Sequence, residues 1–99
     1  MEKLVRDKIP EIMAKGGLMP VTRILASQDR LQWLISKLGE ETLELTATPN
    51  LEECADVFEV VLAIALELGY SSDELEVAAL KKKVAKGGFA QGVVIRIEG

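Results

Sequence analysis

An all-α helical bundle, with short peripheral β-strands near residues 21–25 and 93–97, is the fold this sequence predicts, on three observations. The 99 residues are 48% hydrophobic but hold only four aromatic side chains, which points to an aliphatic helical core. Leu31, Leu34, Ile35, Leu38 and Leu45 recur on one face at about 100° per residue, the period of an amphipathic helix. The segment from Cys54 to Leu68 carries apolar residues over nearly its whole circumference, as a helix enclosed by others does. The length suits one domain, residues 1–99.

In chain order, Lys3-Leu4-Val5 is short and extended. Asp7 is an N-cap residue for a helix from about Lys8 to Lys15, with Pro10 in the first turn, where backbone N–H groups have no intrahelical partner. Gly16-Gly17 ends it. Pro20 and the run Val21 to Leu25 read as an edge strand. Ser27 caps a long helix that reaches Ala47; Gly39 inside it costs about 1 kcal/mol relative to Ala. After the break at Pro49, Asn50 caps a helix that ends at Leu68, with Gly69 as its stop. Ser71-Ser72-Asp73-Glu74 is a capping box for a last helix from about Ser72 to Lys86, closed by Gly87-Gly88. The β-branched tail Val93 to Ile97 reads as a strand able to pair with Val21 to Leu25.

Two acidic motifs flank Pro49: Glu41-x-x-Glu44 and Glu53-x-x-Asp56. Each places two carboxylates on one helix face. Facing residues of an antiparallel hairpin have position numbers of constant sum, and the pairs Glu41 with Asp56 and Glu44 with Glu53 obey this about the break. Acidic pairs at helical spacing are commonly nothing more than solvated surface. Here they adjoin apolar faces, where an ionised carboxylate is costly unless paired or metal-bound. Residues 38–80 hold eleven Asp and Glu and no Lys or Arg, so no nearby basic side chain balances them. Four converging carboxylates suit a hard cation, Mg²⁺ or in its place Mn²⁺, held between facing helices. Zinc is disfavoured by the absence of His and the single Cys.

The basic residues gather at the ends, seven before residue 38 and five after residue 80. Lys81, Lys82, Lys83 and Lys86 suit a helix C-terminus; Lys83 and Lys86 are also candidates for substrate phosphates. Lys37, one turn before Glu41, suits either an ion pair or a phosphate contact. Cys54 reads as a small core residue, so no disulfide is implied. Trp33 and Tyr70 read as packing residues before they read as base-stacking ones. No apolar run is long enough to span a bilayer and the opening MEKLVRDK has no signal-peptide core, so a cytoplasmic location is expected. A net charge of −4 argues against an extended nucleic acid as partner. The absence of a Gly-rich P-loop and of a Cys or His nucleophile argues against kinases, motor ATPases and covalent phosphatases.

The opening Lys3-Leu4-Val5-Arg6-Asp7-Lys8-Ile9-Pro10-Glu11-Ile12, the run Lys37-Leu38-x-Glu40-Glu41-x-x-Glu44, the run Glu52-Glu53-x-Ala55-Asp56 and the closing Lys86-Gly87-Gly88-Phe89 resemble the MazG-related branch of the all-α nucleoside triphosphate pyrophosphohydrolases. The resemblance runs over essentially the whole chain, departing from the pattern at Gly39 and at Lys86. It implies a helical fold that forms a homodimer, binds Mg²⁺ and cleaves a nucleoside triphosphate between the α and β phosphates. The products are a nucleoside monophosphate and pyrophosphate, with removal of aberrant nucleotides as a role. Glu41, Glu44, Glu53 and Asp56 are then the expected metal ligands. One of them, or Glu40, orients the attacking water, and Lys37, Lys83 and Lys86 are the expected phosphate contacts. Two alternatives stand beside this reading: a phosphoribosyl-ATP pyrophosphohydrolase, and a non-catalytic metal-binding module that dimerises through its helices.

Overall fold

The computed structural model describes residues 1–97 of the chain. Four α-helices follow one another: α1 (Ile9–Lys15), α2 (Arg30–Ala47), α3 (Leu51–Glu67) and α4 (Ser72–Lys86), with a 3₁₀ turn over Ser27–Asp29 leading into α2. The all-helical class is as the composition and periodicity predict. No β-strand occurs among the described residues, so the two peripheral strands expected at 21–25 and 93–97 are corrected to extended chain. Both segments have β-branched side chains, but a strand exists only where a ladder partner accepts its backbone hydrogen bonds. Neither finds one in the other within this chain.

The helix ends follow their local chemistry, with two exceptions. Asn50 caps α3 by accepting from the Glu53 N–H at 2.8 Å. Ser71 and Glu74 form the reciprocal capping box of α4, each side chain accepting from the other's backbone N–H at 3.1 Å. At the end of α3, Gly69 takes φ +92°, which lets the Tyr70 N–H reach the Ala65 carbonyl at 2.9 Å and the Gly69 N–H reach that of Leu66 at 3.0 Å. The exceptions lie at the starts of α1 and α2. Asp7 does not cap α1, whose N-cap is Lys8 without a side-chain bond. Ser27 does not cap α2 directly, because the 3₁₀ turn intervenes and Asp29 takes the N-cap position, also without a side-chain bond. Both cap residues, Lys8 and Asp29, are already in the right-handed helical region, where a capping side chain is poorly placed to reach back.

α2 and α3 pack as an antiparallel hairpin across Thr48–Asn50, and α4 folds back on α3 without touching α2. The core this produces is small. Val60 and Ala65, both on α3, are the buried hydrophobic residues among those described. As expected of a helix with more apolar surface than one short chain can cover, α3 leaves Phe58, Leu66 and Leu68 more than half exposed; Cys54, read from the sequence as a core residue, is exposed as well. The reason is geometric: two neighbours cover two sides of α3 and leave the rest open. The radius of gyration is 17.4 Å, against about 13 Å for a compact chain of 100 residues. The accessible surface is 8816 Å², where a folded monomer of this mass has about 5,500 Å². No helix among the described residues is long and apolar enough to cross a membrane.

Candidate metal centre

The hairpin brings the two acidic motifs together. Glu41, in the middle of α2, is the buried charged residue among those described, 7% exposed. Glu53 stands in the first turn of α3, fixed there by the Asn50 cap, and Asp56 follows one turn later. One carboxylate oxygen from each of Glu41, Glu53 and Asp56 lies within 4.8 Å of the others. Oxygens ligating one Mg²⁺ at about 2.1 Å sit roughly 3 to 4 Å apart, so a slight contraction brings all three onto an ion.

The electrostatics of the cluster are unbalanced. Glu41 Oε1 lies 3.3 Å from Lys37 Nζ, while its Oε2 is buried and has no hydrogen-bond partner. Glu53 Oε2 is likewise shielded and unpartnered. An orphaned carboxylate oxygen is costly in such a place, and a cation ligated by it removes the cost. Desolvation pushes the Glu53 carboxyl above its usual range, and the negative charges of Glu44, Asp56, Glu41 and Glu52 push it further. The donor set, carboxylate oxygens alone, fits a hard divalent cation.

The other expected residues are placed differently. Glu44 is exposed and outside the converging trio, although its charge bears on Glu53. Glu40 is not among the converging trio; it meets Lys3 at 3.8 Å and Lys37 at 3.9 Å. Lys37 acts here as an ion-pair partner on its own helix. Lys83 and Lys86 lie exposed in the last turn of α4, which does not contact α2, so one chain does not carry them to the acidic cluster by way of that helix. Trp33 is half-buried beside the N-terminal arm, with the Arg23 guanidinium 5.7 Å above its ring. Tyr70 lines an open α3–α4 groove of about 710 Å³.

Periodicity missed one residue at this site. The charge segregation of residues 38–80 showed that no basic side chain of that span balances the cluster; from outside it, Arg6 donates from Nη2 to Asp56 Oδ1 at 2.7 Å. Fifty positions separate the two, so no local spacing relates them; the signal that held Arg6 was the N-terminal run carrying the family resemblance.

Comparison with known proteins adds little to this geometry. No protein-family model matches the chain, and no solved structure matches it. A stretch of 47 residues is 45% identical to an uncharacterized protein of Mycolicibacterium smegmatis. The matching stretch spans 48% of this chain and 48% of that protein, about half of each.

Proposed function

We propose that this chain is a Mg²⁺-dependent nucleoside triphosphate pyrophosphohydrolase that works as a homodimer. The observation that carries the reading is the buried, partnerless Oε2 of Glu41 within a trio of converging carboxylates. When bound, a divalent cation supplies charge neutralisation at the phosphoanhydride. Glu41, Glu53 and Asp56 hold it, with Glu44 at the edge of the group. A carboxylate of the set, or Glu40 after a change of side-chain rotamer, orients the water and accepts its proton. Lys37, 3.3 Å from Glu41 Oε1, leaves Oε2 free for the cation.

The dimer rests on surface area. The chain exposes roughly 3,300 Å² more than a folded monomer of its mass, and obligate homodimers bury 2,000 Å² or more in total. The open side of α3, with Cys54 and Phe58, belongs to that interface. Dimerisation also offers Lys83 and Lys86 a route to phosphate, as α4 of one chain can serve the hairpin of the other.

The test is pyrophosphate release from a panel of common and modified nucleoside triphosphates, with phosphoribosyl-ATP included, in the presence and absence of Mg²⁺. Release of pyrophosphate with the matching monophosphate, dependent on Mg²⁺, is the expected result. Silence across the panel from folded protein would favour the non-catalytic metal-binding dimer, which keeps the exposed face of α3.

A further inference from the structure

The N-terminal arm is tied to the rest of the chain by three ion pairs. Glu2 accepts from Arg23 at 2.6 and 2.8 Å, Lys3 meets Glu40 at 3.8 Å, and Arg6 donates to Asp56 at 2.7 Å. Arg23 is itself set over Trp33. The Arg6 guanidinium is thereby delivered to the edge of the carboxylate trio, where the charges of Glu59 and Glu41 also act on it. Its side chain remains 56% exposed. A guanidinium has five N–H donors, and Asp56 is the acceptor that Arg6 meets here.

A fixed positive charge at a cation site has opposite effects on two ligands. It repels a bare divalent ion, and it also occupies a carboxylate that the ion needs. It attracts the same ion when phosphate oxygens accompany it, because the unused N–H donors suit a phosphate and the guanidinium is charged at any working pH. Resting on the reading that Glu41, Glu53 and Asp56 hold the cation, we propose that Arg6 makes the site selective for a divalent cation carrying a phosphoanhydride over the bare ion. Arg6 is then a specificity-determining residue that couples metal binding to phosphate binding.

Calorimetry on the full chain tests this with Mn²⁺ alone, and with inorganic pyrophosphate at saturating Mn²⁺ as a probe independent of the base. Arg6→Ala and Arg6→Gln should bind bare Mn²⁺ about threefold or more tightly than wild type, and pyrophosphate about threefold or more weakly, as expected for one partly screened charge. Lys8→Ala, which removes a charge from the same arm, should change neither, and circular dichroism should show unaltered helicity in all three variants. Shifts of both affinities in the same direction, no shift in either, or an equal effect from Lys8→Ala would overturn the proposal. Wild type that binds Mn²⁺ but not pyrophosphate would sink it while leaving the cation site standing. Wild type that binds no Mn²⁺ would sink both.

Discussion

Glu53 is the residue at which stability and chemistry oppose each other. Its carboxyl is raised above the ordinary value of 4.5, so the folded chain holds that proton more tightly than the unfolded chain does. Ionisation therefore penalises the metal-free fold; the penalty is complete above the folded-state value and absent below 4.5. Glu53→Gln should accordingly raise the melting temperature in chelator at neutral pH, and the gain should vanish as the pH falls below the usual carboxylate range. The same variant should lose pyrophosphohydrolase activity and the stabilisation that wild type gains from Mg²⁺, which is about 2.7 kcal/mol at a hundredfold excess over the dissociation constant. Glu76→Gln, on the exposed side of α4, is the control and should do none of this. Thermal melts across pH, with and without Mg²⁺, decide the matter; equal loss of stability in both conditions would make Glu53 a structural residue. A second substitution addresses the lysines. If Lys83 or Lys86 meets phosphate, its Ala variant should raise KM or lower kcat severalfold without changing Mn²⁺ affinity. At this scale the convergence of Glu41, Glu53 and Asp56 was legible in the sequence because two motifs of helical spacing mirrored one another about Pro49, but the same symmetry also placed Glu44 in the group, and the structure leaves it outside. Arg6 was not legible, because an ion pair across fifty residues has no period.

Among the elements, the hairpin and its caps were readable where a side chain bonds to backbone three residues away. Asn50 with Glu53 and Ser71 with Glu74 are of that kind. Asn50→Ala should cost about 1 kcal/mol, and it should also weaken Mg²⁺ binding, because the cap sets the turn that carries Glu53. Urea titration and metal titration on the same variant check both. The 21–25 and 93–97 segments were misread because propensity describes a residue's fit to a sheet and cannot supply the neighbouring strand. The interior of α2 contains a different economy. Thr42 and Thr46 turn their hydroxyls back to donate to the Leu38 and Thr42 carbonyls, at 2.8 and 2.9 Å. A Cβ added at Gly39 meets no atom within 4 Å, so in one chain nothing requires glycine there. Gly39→Ala should stabilise α2 by up to about 1 kcal/mol. A measured loss instead would place another surface against that point of the helix.

For the whole molecule, the decisive quantity is apolar surface without cover. The sequence already indicates that α3 is apolar over more of its surface than one chain can cover, and the structure leaves Phe58 and Leu66 open accordingly. Sedimentation at micromolar concentration should find a homodimer, and Phe58→Glu, which puts a charge on the open side of α3, should shift it to monomer or unfold it. A stable, folded wild-type monomer would count against the assembly and against the route it offers to Lys83 and Lys86.

Cys54 gives that assembly a built-in reporter. Its thiol lies one helical turn from Phe58 on α3 and is exposed in the single chain. A partner seated over this side of the helix would shield the sulfur from reagents in solution. Labelling with a chromogenic disulfide should then slow as protein concentration rises, following the shrinking share of free chains, and addition of Mg²⁺ with substrate analogue should slow it further if ligand draws two hairpins together. A labelling rate that is the same at every concentration would mean that the thiol faces water in the assembled protein as well.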